Sequence, residues 1–189
     1  MFRTDLKQPQ PHQDVEERMD IEWSSVPLSQ TQNPKEVPSI RGYHTSSLVG
    51  NTLYVFGGNG HDCCLADLYA MDLVTEQVPL KKGSDRCFES QRGKWRKVTF
   101  TGTAPVARRS QNAITLGNKI LVFGGFNNDW QVLPMDVHVF DTETCHWTTC
   151  KAGGTEPTPG RAGASADLVE NTVYVIGGNL GSERTSDVL

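Results

Sequence analysis

The sequence predicts an all-β fold made of short four-stranded units, each covered on both faces. Three observations lead there. One stretch, from an Arg to a Gly pair, occurs three times without a gap. An apolar quartet stands before each Gly pair. A Gly-Asn or Glu-Asn dipeptide separates that quartet from the run before it. Recurrence of one pattern along a chain is the signature of stacked structural units, none of which buries its apolar faces alone.

The copies begin at Arg41, Arg108 and Arg161 and end at Gly57 and Gly58, Gly124 and Gly125, and Gly177 and Gly178. Each opens with a strand of small residues, such as Ser46 and Ser47, Ala113, or Ala162 to Ala166, which suits crowding around an axis. A hairpin follows at Asn51, Asn118 and Asn171, since Gly and Asn tolerate positive φ. The quartets Leu53–Phe56, Ile120–Phe123 and Val173–Ile176 are apolar at successive positions, so both faces of that strand are expected to be covered. The Gly pair marks a turn that excludes a Cβ. A third strand runs from Asp67 to Asp72, again from Asp136 to Asp141, and begins once more at Asp187. A fourth carries Trp95 and Trp147, each followed by a link with Gly102, Pro105 and Arg108 or with Gly154, Pro157, Pro159 and Arg161. Trp23, ahead of Pro38 and Arg41, marks the same feature near the N-terminus. The Trp is expected on the outer strand, its ring over the glycine pair. Arg41, Arg108 and Arg161 could form an anion-binding ring, but their regular recurrence favours a structural role, bonding carbonyls in the links.

Arg, small-residue strand, apolar quartet, double glycine, Asp-led strand and Trp together resemble kelch repeats. The links resemble those of kelch proteins of the Rab9-effector and host-cell-factor type. The resemblance runs from Trp23 to Leu189 and implies four-stranded blades of a β-propeller. Two positions depart from it: Tyr69 is replaced by His138 in the next unit, and His44 by Gln111 and then Ala164. Propellers close with about four to eight blades. About two full units and partial units at both ends are expected here, an incomplete propeller whose open blade faces favour self-association. Residues 1–20 read as a flexible polar tail and 21–189 as the repeat region. An insertion, 73–94, reads as a mobile, mildly basic loop: Lys81, Lys82, Arg86, Arg92 and Lys94 stand against Glu76, Asp85 and Glu89.

The composition, 37% hydrophobic and 21% charged with a net charge of -4, fits a soluble globular chain and disfavours nucleic acid as a partner. No apolar run approaches the ~18 residues of a membrane span. The start of the chain does not read as a secretory signal, and the five cysteines, an odd number, fit free thiols in the cytoplasm. His61, Asp62, Cys63 and Cys64 cluster, yet adjacent cysteines suit a zinc tetrahedron poorly. The five histidines are scattered, and no nucleophile triad order or phosphate loop occurs. No cofactor, metal or catalytic residue is therefore expected. Strand alternation puts the loops between strands two and three on one face with the links. That face gathers Asn59, His61 and Asp62, then Asn127, Asn128 and Trp130, then Asn179, Glu183 and Arg184. Loops on a rigid scaffold are the usual seat of recognition, and Trp130 is the best anchor. The resemblance implies a protein-interaction module, a scaffold or partner-recognition part. The alternatives it leaves open are the substrate adaptor of a ubiquitin ligase and a fragment of a kelch-scaffold metalloenzyme of the oxidase or specifier-protein type.

Overall fold

The computed structural model of the chain describes residues 25, 33–79, 87–150 and 159–189. The polar tail 1–20 and Trp23 lie outside the described residues. The first unit is a four-stranded antiparallel sheet: β1 (Thr45–Val49), β2 (Thr52–Phe56), β3 (Leu68–Pro79) and β4 (Cys87–Lys97), in that order. The second repeats it with β6 (Asn112–Leu116), β7 (Lys119–Phe123), β8 (Val137–Asp141) and β9 (His146–Cys150). Here the link adds a short fifth strand, β5 (Thr101–Gly102), parallel to β9. The third unit has the hairpin β10 (Ser165–Val169) and β11 (Thr172–Ile176), and a third strand starts beside it through reciprocal backbone bonds between Val175 and Leu189 of 2.8 and 3.0 Å. The all-β class and the blade order are those the sequence predicts.

The hairpins close in the same register each time, with Val49 opposite Thr52, Leu116 opposite Lys119 and Val169 opposite Thr172. Positive φ falls on the residue before the Asn: 58° at Gly50, 58° at Gly117 and 54° at Glu170. The first strands β1, β6 and β10 lie side by side, which explains their small residues. Towards the axis, Ser110 N–H donates to the Tyr43 carbonyl at 2.9 Å and Gly163 N–H to the Ser110 carbonyl at 2.8 Å, joining the units in series.

Alternation along each strand splits its residues between two junctions. Tyr54, Phe56, Leu68 and Ala70 of the first unit pack against Ile120, Val122, Phe140 and Trp147 of the second. Ile114, Phe123 and Met135 of the second pack against Val175 of the third, with Val173, Ala164 and Ala166 at the margin. Both faces of the middle unit are thus covered. The third unit has one covered face, and on the other Val169, Tyr174, Ile176 and Val188 are exposed. Their counterparts Tyr54, Phe56 and Leu68 are buried in the first junction.

Two expectations are corrected. The insertion 73–94 is not a loop throughout. β3 and β4 stay paired from Tyr69 opposite Lys97 out to Pro79 opposite Cys87, so much of the segment is a two-stranded ribbon. Ladder hydrogen bonds satisfy its backbone, which a solvated loop would leave to water. Nor is the Trp147 ring among the nearest neighbours of a Cβ on either of the first two glycine pairs. Trp147, 1% exposed, stacks on Phe140 at 5.0 Å and on Phe56 of the preceding unit at 5.3 Å. The space beside the glycines holds the next link instead. A Cβ on Gly57 would stand 2.9 Å from the Arg108 carbonyl oxygen, and one on Gly124 only 2.3 Å from that of Arg161.

Candidate functional site

The three repeat arginines are built into the frame, as their recurrence suggests. Arg41 donates to the Ser39 and Gly57 carbonyls at 3.2 and 3.1 Å and pairs with Asp67 at 2.6 Å. Arg108 donates to the Val106 and Gly124 carbonyls at 3.1 and 3.0 Å. Arg161 donates to the Pro159 carbonyl at 3.3 Å and pairs with Asp187 at 3.3 Å. In the first and third units the Asp heading the third strand is therefore the arginine's partner. Equal offsets from Arg41 to Asp67 and from Arg161 to Asp187 carried that signal in the sequence. In the first two units the glycine pair supplies both the carbonyl the arginine caps and the gap the next link passes through. Trp95 is half-buried on β4.

The loops between second and third strands do share a face with the links. Bridges join Gly42 to Asn59, Arg109 to Phe126 and Ala162 to Asn179, one per unit. In the first unit a hollow of about 670 Å³ is lined by Ile40, Arg41, Tyr43, Asn59, His61 and Leu65, among others. A smaller one, about 310 Å³, lies between Phe126, Gly163, Asn179 and Arg184.

On this face the predicted residues divide into two groups. The four asparagines hold the loops. Asn59 Oδ1 accepts from Arg109 at 2.9 Å, Asn127 Oδ1 from the Asp129 and Gln131 amides at 3.0 and 2.9 Å, Asn128 Oδ1 from the Cys64 amide at 2.6 Å, and Asn179 Oδ1 from the Gly181 amide at 2.7 Å. These bonds rigidify the surface and tie the first unit's loop to the second's. His61, Asp62, Trp130, Glu183 and Arg184 are exposed. His61 and Asp62 meet each other at 2.5 Å in full contact with water, where an ion pair is worth little.

Trp130 is 69% exposed, yet one face of its ring lies 3.6 Å from the Arg109 guanidinium, and its edge meets Phe126 at 5.8 Å. It thus both folds back over its own unit and presents a free face. It does so at φ 59°, a backbone state that bulky residues rarely adopt. Arg109, Ile40 and Tyr43 were not foreseen. Arg109 is 8% exposed and bonds Asn59 across the unit boundary. Ile40 is 98% exposed. Tyr43 has φ 56°, as Ser110 and Gly163 have 53° and 62° at the matching positions. A large aromatic where the other copies have Ser and Gly was the available signal.

Electrostatics single out the second unit. His138 Nε2 lies 2.9 Å from Asp136 Oδ2, and Nδ1 lies 3.2 Å from the Thr149 hydroxyl. Burial first, then the Arg108 charge, pull the His138 pKa down against the lift from Asp136. Burial likewise raises the Cys64 thiol, which disfavours a reactive thiolate there. Among the described residues Cys63, Cys64, Cys145 and Cys150 are free thiols. No group of three or more His, Cys, Asp or Glu among them could hold a metal ion. No helix among them is long and apolar enough to cross a membrane.

Comparison with known proteins agrees with this geometry. Residues 81–189 match the KLHDC2/KLHL20/DRC7 Kelch-repeats domain, and residues 40–78 match the Kelch motif. The chain is 29% identical to human Kelch domain-containing protein 3 over 163 residues, 84% of this chain and 38% of that protein. It is 32% identical to acyl-CoA-binding domain-containing protein 4 of Arabidopsis thaliana over 160 residues, 83% of this chain and 21% of that protein. The chain thus spans about two fifths of Kelch domain-containing protein 3. The solved structure of YjhT matches with a TM-score of 0.55 at 20% identity, over 78% of this chain and 48% of that one, a likeness of fold alone.

Proposed function

The chain belongs to the kelch-repeat family, and from that premise we propose that it is a protein-interaction module whose partner docks on the face of links and second-to-third-strand loops. One observation carries this reading. That face is stiffened by internal hydrogen bonds, yet leaves Ile40 and Tyr43 exposed at a hollow between Arg41 and Asn59, and Trp130 exposed on the next unit's loop. Rigid aromatic and apolar anchors on a polar surface are what protein interfaces use. The net charge of -4 weighs against a nucleic-acid duplex as the partner.

The role is recognition, as a scaffold or as the part of a larger assembly that holds a substrate, and it involves no catalysis. The compartment we assign is the cytoplasm, supported by the free thiols. Partners recovered by proximity cross-linking from the unaltered chain should be lost from Trp130→Ala and Ile40→Asp. Partners that persist in both variants, but vanish on altering the hairpin turn at Asn51 on the opposite face, would overturn the placement. A stoichiometric metal in the purified protein would overturn the non-catalytic reading.

A further inference from the structure

Arg108 joins the first two units through both its backbone and its side chain. Its N–H donates to the Leu65 carbonyl at 3.1 Å and its carbonyl accepts from the Gly58 amide at 2.9 Å, both in the first unit. Its guanidinium, meanwhile, caps Gly124 in the second. In the first unit the matching arginine, Arg41, is neutralised by Asp67 and lies 5.2 Å over the Tyr69 ring. The second unit differs. His138 stands where Tyr69 stood, and it takes the carboxylate of Asp136 at 2.9 Å. Asp136 Oδ1 is left buried without a partner.

We propose that His138 makes this junction pH-sensitive: protonating its imidazole sets a second buried cation beside Arg108 and loosens the seam between the first two units. The contacts accommodate a neutral ring, with Nε2–H donating to Asp136 and Nδ1 accepting from the Thr149 hydroxyl, while burial and the Arg108 charge, not these bonds, disfavour the imidazolium. The groups that act on it are Arg108 from the link, Asp136 ahead of its own strand, Thr149 on β9 and the backbone of Thr103. Its partner across β7 is Val122, which is apolar. Of these groups Asp136 alone carries a negative charge to offset a new positive one, with the Thr103 backbone assisting, and Arg108 is already there to compete for that carboxylate. Burial weakens the imidazolium further, because His138 is 6% exposed. The sign follows. The folded state holds the proton less tightly than the unfolded chain, so stability is complete above the unfolded value of about 6.5 and declines as pH falls through the folded one. Each unit of separation weakens the folding equilibrium up to about tenfold. The seam that loosens carries Arg109, on which Trp130 rests.

The test is a proton NMR titration of the His138 ring in the unaltered chain, with amide exchange followed at Gly58 and Gly125. A midpoint below that of free histidine is expected. Protection of the Gly58 amide, bonded to the Arg108 carbonyl, should fall with the same midpoint, while that of Gly125, bonded to the Arg161 carbonyl, is retained. His138→Tyr should abolish the Gly58 response. A midpoint at or above about 6.5 would sink the proposal. So would equal loss at both amides, or an unchanged Gly58 response in the Tyr variant. Should that variant fail to fold, the titration and exchange of the unaltered chain decide alone.

Discussion

Replacing Gly124 by Ala tests why the glycine pair recurs, and Gly117→Ala supplies the internal control. Both glycines have left-handed backbone, at φ 64° and 58°. Both substitutions therefore carry the ~1–2 kcal/mol that an L residue loses in that region. At Gly117 nothing lies within 4 Å of the added methyl, so that strain is the whole effect. At Gly124 the methyl would stand 2.3 Å from the Arg161 carbonyl oxygen. The link must shift, which breaks the 2.8 Å bond from the Gly125 amide to that carbonyl. A buried amide left unpaired costs a further ~1–3 kcal/mol. The two variants should then differ by about 1–3 kcal/mol, or roughly 2–12 °C in melting temperature at 2–4 °C per kcal/mol for a chain of this size. Thermal unfolding followed by circular dichroism reads this directly. Equal melting temperatures for the two variants would refute the argument, because the pair would then serve backbone conformation alone and not the passage of the next link.

Four further outcomes are expected. Asp67→Asn removes a partner from a guanidinium whose side chain is 3% exposed and should cost about 1–3 kcal/mol, whereas Asp187→Asn, at a carboxylate 64% exposed, should change unfolding too little to resolve. Trp147→Ala should cost about 3–5 kcal/mol in denaturant titration, against about 0.5–1 kcal/mol for Trp130→Ala, which loses mainly its stacking on Arg109. Asp141 is held below the usual carboxylate range, first by the Lys119 ammonium and then by the Thr144 amide, so its support is present at neutral pH and lost as pH falls; Lys119→Gln should raise its midpoint in a carboxyl NMR titration. Finally, the exposed Tyr174 and Ile176 should drive concentration-dependent association in sedimentation, and Tyr174→Asp with Ile176→Asp should reduce it.

Much of the frame was legible because its causes are local or repeated. Hairpin register follows from a turn between two apolar runs, and Gly50 and Gly117 announce that turn wherever the fold places it. Arg41, Arg108 and Arg161 could be read as structural from their spacing to the glycines. The site was less legible. Asn59, Asn127, Asn128 and Asn179 look alike as loop residues ready for a partner, yet each spends its carbonyl oxygen on a neighbouring donor. Arg109 gave no signal beyond following Arg108, because its importance lies in contacts with Asn59 and Trp130 that are distant in sequence. The ribbon of β3 and β4 was misread as a loop, since its polar residues lack the alternation that marks a strand packed on a core.

By itself the sequence determined that this chain is all-β, that its units repeat, and that arginine, glycine pair and tryptophan recur as one device. Those properties rest on hydrophobic period and turn chemistry, which act over a few residues. Only the tertiary structure decided which carbonyl fills the space above each glycine pair. It decided that Trp147 serves the seam between units. It also decided that the Asp136–His138 pair would stand beside a buried Arg108. Each of these depends on a neighbouring unit or strand brought alongside in space, and no local pattern encodes that geometry.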